Sequence, residues 1–221
     1  DPEMKKTILR DLYETMVLKD VSRTFSINDL RSLESFARYL SHSVGNTLVY
    51  GKLATEMGIS FQSVKKYLDA MEKSYLIALV PPFFTNKLKE VTKQPKAYFV
   101  DTGLRNAIAN DYPLTLENSG KLFENYVFSE LLKAGHTIKH WQTKGGAEVD
   151  FVVEVDGKPI PIEVKLKAPS AIERSFRTFI EAYKPANAFV VSYEGEHSAS
   201  EIDGCTVSIT DVSGLIKALG G

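Results

Sequence analysis

Glu148-Val-Asp150-Phe-Val-Val-Glu-Val155, then Asp156-Gly157, then Lys158-Pro-Ile-Pro-Ile-Glu163-Val164-Lys165 is the stretch that decides the fold. It reads as a β-hairpin: two runs rich in β-branched residues flank an Asp-Gly pair, the composition that favours a two-residue turn twisted to match its strands. If Val155 faces Lys158, Asp150 lies opposite Glu163 and Glu148 opposite Lys165, all four on one face. Alternation then sends Val149, Phe151 and Val153 to the other face with Ile160, Ile162 and Val164. Two carboxylates facing each other repel unless one is protonated or a cation lies between them. Carboxylates with a backbone carbonyl and waters suit Mg²⁺ or Mn²⁺, and Lys165 beside them could orient a water or neutralise a phosphate. The alternative is an ordinary hairpin with a solvated charged face, which would more naturally place lysine opposite both acids.

A length of 221 residues accommodates two small domains, and 43% hydrophobic with 25% charged residues is the composition of a folded protein. No run approaches the roughly 18 apolar residues of a membrane span, and no signal peptide opens the chain, so the expectation is a cytoplasmic protein without membrane partners. The single Cys205 excludes an internal disulfide and a cysteine zinc site, and it reads as a buried small apolar residue. Residues 1–110 carry 16 Lys and Arg against 12 Asp and Glu, whereas residues 111–221 carry 11 against 16. A mildly basic first half suits nucleic acid, and an acidic second half suits carboxylates gathered around a metal. The chain starts Asp-Pro-Glu-Met, which reads as a piece of a longer protein. Gly45-Asn-Thr-Leu-Val-Tyr-Gly51-Lys52-Leu53 has one residue too many for a P-loop, and Leu where Ser or Thr is needed, so no ATP site is expected here.

In the first half, Ile8, Leu9, Leu12, Met16 and Val17 have helical spacing, and Asn28 is placed to cap a helix with Leu30, Leu33, Phe36, Ala37 and Leu40 on one side. A short helix near Lys52–Met57, the turn Gly58-Ile59-Ser60 and a helix capped by Ser60 through Lys73 form a helix-turn-helix. Strands at Tyr75–Val80 and Ala97–Val100 complete a winged-helix-like domain, residues 1–110. Lys65, Lys66 and Lys73 on the last helix, and Lys87, Lys89, Lys93 and Lys96 in the wing, are the candidate phosphate contacts. Asp69, Glu72 and Glu90 dilute the patch, and protein docking is the competing use of such a module.

In the second half, Pro113 marks the boundary, and a helix over Leu122–Ala134, closed by Gly135, carries Phe123, Val127, Phe128 and Leu131 on one stripe. Glu124 lies on that stripe, where a carboxylate needs a partner; the helix dipole near the first turn is the other explanation. Thr137–Trp141 is the first strand, Ser170 is placed to cap a helix through Tyr183, and Ala188–Ser192 and Thr206–Ile209 are further strands before a last helix from Val212.

Asp150 with Glu163-Val164-Lys165 resembles the Asp and Glu-x-Lys half-motifs of the PD-(D/E)xK, restriction-endonuclease-like superfamily, although Val149 stands where its name-giving proline would be. Lys121-Leu-Phe-Glu-Asn-Tyr-Val, His140-Trp-Gln-Thr-Lys-Gly-Gly-Ala-Glu-Val-Asp-Phe and Pro161-Ile-Glu-Val-Lys are similar to the DUF4143 region that follows an AAA-type ATPase domain in archaeal and bacterial proteins. The similarity extends upstream from about Tyr13 through Lys96-Ala-Tyr-Phe-Val-Asp-Thr-Gly. It implies an α/β (α+β) protein: a winged-helix-like domain, then a restriction-endonuclease-like mixed α/β domain over residues 111–221.

The implied activity is metal-dependent phosphodiester hydrolysis on nucleic acid, DNA in preference to RNA. Asp150, Glu163 and the Val164 carbonyl would hold Mg or Mn, Lys165 would position the attacking water, and Glu124 would assist. The ATPase domain of a full-length protein is the implied partner. The rival expectation is a non-catalytic DNA- or protein-binding module that regulates that ATPase.

Overall fold

The computed structural model describes residues 1–86, 88, 90, 93–112 and 116–220, without the side chains of residues 2, 16–18 and 116–118. The chain is mixed α/β and separates into two units, Asp1–Leu79 with Gln94–Leu114, and Val80–Lys93 with Thr115–Gly221.

The first unit is helical. α1 (Pro2–Tyr13) runs through a π-helical segment Glu14–Val21 and one helical turn Ser22–Thr24, and is followed by α2 (Leu30–His42), α3 (Tyr50–Met57) and α4 (Phe61–Lys73). Leu33, Phe36, Ala37 and Leu40 are buried along α2 as their spacing requires, whereas Leu30 in its first turn is exposed; the cap is Asp29, whose carboxylate accepts from the Ser32 amide, rather than Asn28. Gly58 ends α3 in the left-handed conformation, and Ser60 caps α4 by accepting from the Ser63 amide at 3.0 Å. β1 (Ile77–Val80) pairs with β2 (Lys96–Phe99), and Asp101 caps α5 (Thr102–Ala109). Helices followed by a β pair is the order anticipated for a winged-helix-like module.

Residues 80–93 group with the second unit. Sequence patterning put them in the wing of the first domain; the described ones among them contact the strand Ile138–Gln142 and the helix Arg174–Tyr183 of the second unit. Pro82 bridges His140 in parallel fashion, Phe83 packs on Phe179 and Tyr183, and Glu90 pairs with the buried Lys139 at 3.0 Å. An ion pair formed out of water holds such a segment only when both partners are present.

The second unit is built on a six-stranded sheet of order β3-β4-β5-β6-β8-β7. Its elements are α6 (Leu116–Lys133), β3 (Ile138–Gln142), β4 (Glu148–Val155), β5 (Lys158–Lys167), α7 (Arg174–Tyr183), β6 (Asn187–Glu194), β7 (Ser198–Ile202), β8 (Cys205–Thr210) and α8 (Val212–Ala218). β3, β4 and β5 are antiparallel, β5, β6 and β8 are parallel, and β7 returns antiparallel at the edge. α6 and α8 pack together on one face, and α7 covers the other with Phe176, Phe179 and Ile180 against Trp141, Val152, Ala188 and Val190. α7 begins after Glu173, which makes no side-chain cap, instead of after Ser170.

The hairpin has the anticipated turn. Asp156 and Gly157 sit at φ 52° and 74°, and Val155 pairs with Lys158. Its alternation, however, is interrupted. Trp141 pairs with Val149 while Lys139 pairs with Val152, so His140 faces both Asp150 and Phe151 across a β-bulge. The extra residue shifts the phase of β4: Val149 and Val152, three apart, both enter the core under α7, whereas Phe151 packs against Phe128 of α6. The reading that put Val149 and Phe151 on one face is corrected by this bulge.

Candidate active site

The bulge also redirects Asp150. Pairing between β4 and β5 runs from Val155↔Lys158 to Phe151↔Ile162, one pair short of Asp150 and Glu163. Where the strands part, the Asp150 carboxylate accepts from the Val164 amide at 2.9 Å and so replaces a ladder hydrogen bond. Glu148 pairs with Gln142 of β3 instead of facing Lys165. Lys165 reaches Glu163 at 3.0 Å and Glu173, the residue ahead of α7, at 2.7 Å.

These positions surround one cavity of about 340 Å³, lined by Gly120, Lys121, Glu124, Asp150, Glu163, Val164, Lys165 and Leu166. The four residues singled out as catalytic therefore come together. Glu148, Asp150, Glu163 and Lys165 do not stand as facing pairs across the two strands, as the simple hairpin required. Glu163 lies beside Val190, whose side chain belongs to the α7 core, whereas Glu124 approaches from α6 and Asp150 lies close enough to Lys121 to be felt by it electrostatically. α6 supplies one wall of the cleft and β5 the other, with Asp150 of β4 between them.

The electrostatics divide likewise. On the α6 side, Lys121 pairs with the buried Glu124 at 2.7 Å. Burial lowers the Lys121 ammonium pKa, but Glu124, with Asp150 and Glu148 nearby, outweighs this and leaves it above the ordinary lysine value. On the other side, burial raises the Glu163 carboxyl above its usual value, against the opposing pull of Lys165. Lys165 itself is lowered by burial and raised by the Glu173 hydrogen bond and the Glu163 charge, and ends well above the ordinary lysine range. Lys121 and Glu173 were not singled out from sequence as site residues. Lys121 precedes Glu124 by one helical turn and so could have been found by the i, i+3 rule; Glu173 carries no comparable signal.

Glu163 Oε2 is buried and has no hydrogen-bond partner. An ionised oxygen in that position is costly unless a cation or donor meets it. Among the described residues no group of three or more His, Cys, Asp and Glu side chains could hold a metal ion. Mg²⁺ needs fewer, since it keeps waters and binds through one or two carboxylates plus phosphate oxygens. Asp150, Glu163 and the Val164 carbonyl are a hard oxygen set of that kind, and the orphaned Oε2 fits it.

The candidate phosphate-binding lysines of the first unit are dispersed. Lys65, Lys66 and Lys73 are exposed on α4, but Lys66 donates to the Ser26 carbonyl at 2.8 Å, Lys73 pairs with Asp69 at 2.9 Å, and Lys65 lies 5.1 Å from the Phe61 ring centre. Lys96 is buried within β2 and cannot meet a phosphate. Lys87 and Lys89 lie outside the described residues. Among the described residues, no helix is long and apolar enough to cross a membrane.

Comparison with known proteins divides the chain close to the same place. Residues 1–115 match the family described as "Domain of unknown function (DUF8612)", and residues 119–212 match "Domain of unknown function (DUF4143)". The upstream similarity expected for DUF4143 is thus taken up by a separate family. An uncharacterised protein of Mycobacterium tuberculosis is 32% identical over 164 residues, covering 72% of this chain and 37% of the relative. Uncharacterised proteins of Haemophilus influenzae (24% over 174 residues; 76% and 42% covered) and Methanocaldococcus jannaschii (25% over 211 residues; 89% and 46%) are also similar. The chain spans less than half the length of each. No solved structure matches. The chain belongs to the DUF8612 family through its first half and carries a DUF4143 domain in its second.

Proposed function

We propose that the second unit is a metal-dependent nuclease of the PD-(D/E)xK type, hydrolysing phosphodiester bonds of nucleic acid. The observation that carries this reading is Glu163 Oε2, buried and without a partner in the cleft that also holds Asp150, Lys165 and Glu124. Asp150, Glu163 and the Val164 carbonyl would hold Mg²⁺ or Mn²⁺, which when bound supplies Lewis-acid polarisation of the phosphoryl oxygen and an acidified water. Lys165 stays protonated at neutral pH and presents positive charge where an anionic transition state forms. Glu173 and Glu163 orient its ammonium. Lys121 pairs with Glu124 at the opposite wall.

The order of α6, three antiparallel strands, α7 and the parallel β6 supports the restriction-endonuclease-like reading. The first unit would contact nucleic acid through α4, and an AAA-type ATPase domain in a longer chain would be the partner, acting in the cytoplasm. A second reading, a non-catalytic nucleic-acid- or protein-binding module regulating that ATPase, draws on the same ion pairs, because Lys121 and Lys165 already neutralise the acids. Incubation with single-stranded, duplex and branched DNA and with RNA, in Mn²⁺ or EDTA, separates them. Cleavage with Mn²⁺ and none with EDTA is the expected result; intact substrates in every arm would contradict the hydrolytic reading.

A further inference from the structure

Three aromatic rings, on α6 and β6, neighbour residues of α6 and β5 that line the cleft. Phe123 immediately precedes Glu124 and is buried; Tyr193 contacts it edge-on at 5.6 Å, and Tyr126 stacks beside it at 6.4 Å with 29° between the planes. Tyr193 is 70% exposed and Tyr126 42% exposed. Ser192 pairs with Lys165 and Glu194 with Lys167, so Tyr193 flanks Leu166, which lines the cleft. The buried ring thus fixes the directions of two tyrosines that leave much of their own surface in water. A ring so exposed contributes little to folding, since the stabilisation comes from area removed from water.

We propose that Tyr193 and Tyr126 are a stacking platform for unpaired bases, and that the ligand taken by the cleft is single-stranded nucleic acid. The inference rests on reading the cleft as a nucleic-acid site. Lys121 and Lys165, inside the cleft, carry the charge that suits a phosphate, and the platform adjoining them meets the base attached to the same backbone. Aromatic faces accept any base and need no sequence, provided the base is out of a duplex stack. A duplex keeps its base faces covered by neighbouring pairs and offers the platform nothing.

The test is fluorescence anisotropy in EDTA with labelled oligothymidylate, oligouridylate, an abasic strand of equal length and a blunt duplex. Wild type is expected to bind both base-bearing strands more tightly than the abasic strand or the duplex. Tyr193→Ala and Tyr126→Ala should each weaken strand binding by about ten-fold, the range of stacking on one aromatic ring. Abasic binding and the melting temperature should be unchanged, and Tyr193→Phe should retain the affinity. Equal affinity for abasic and base-bearing strands, tighter binding of the duplex, or wild-type affinity in Tyr193→Ala overturns the proposal. Without metal these outcomes do not depend on hydrolysis. Cleavage unaffected by Tyr193 removes the platform alone, and Tyr193-dependent binding without Mn²⁺-dependent cleavage removes the nuclease alone.

Discussion

At the scale of the residue, Glu163 is the least comfortable group in the cleft, because one oxygen meets Lys165 and the other is buried without a hydrogen-bond partner. Burial holds its carboxyl above the ordinary value of 4.5, so the folded protein binds this proton more tightly than the unfolded chain. Linkage then fixes the sign: as pH rises past 4.5, ionisation of Glu163 subtracts from stability until the folded group has titrated. Glu163→Gln removes this loss. In EDTA the variant is expected to melt about 2–5 °C above wild type at neutral pH, for a gain of roughly 1 kcal/mol, and the difference should shrink toward acid pH. Thermal melts across the acid and neutral range check this. A variant that melts below wild type at neutral pH would show the Lys165 pair to be worth more than the burial costs.

At the scale of the element, the bulge in β4 determines the site, and its cause lies in pairing rather than in local sequence. Glu148 to Val155 alternate as a regular strand would, and only opposite His140 does the extra residue show. That is why the hairpin, its turn and its two acids were legible while their common face was not. β7 was missed in the sequence, and only its turn could have revealed it. β7 is exposed along nearly its whole length and offered no apolar alternation, yet Asp203-Gly204 leads from it into β8 with the same left-handed pair of angles as Asp156-Gly157. Ser60 was legible as a helix cap, whereas Asn28 was read where Asp29 caps, and Ser170 where α7 begins uncapped after Glu173. The turn supports a direct check. A Cβ on Gly157 would meet nothing within 4 Å, so Gly157→Ala tests its positive φ alone. The expected loss is about 1 kcal/mol in denaturant unfolding; an unchanged midpoint would mean the hairpin does not depend on this turn.

At the scale of the whole molecule, the fold class and the change from helices to sheet were carried by periodicity, since apolar spacing of α2, α4 and α6 is helical and that of β4 and β5 is not. The return of residues 80–93 to the second unit was not, because it depends on Phe83 and Glu90 meeting partners far along the chain. In the proposed reading, the cleft of the second unit performs chemistry at Lys165 with oxygen ligands that do not include it. Lys165→Ala leaves Asp150, Glu163 and the Val164 carbonyl in place and removes the positive charge beside them. The most direct measurement compares wild type and Lys165→Ala for Mn²⁺-dependent cleavage of a single-stranded oligonucleotide and for the rise in melting temperature that Mn²⁺ produces. The cleavage rate is expected to fall about 100-fold or more, with the Mn²⁺-induced stabilisation retained. Cleavage undiminished in Lys165→Ala, or no stabilisation of wild type by Mn²⁺, would contradict it.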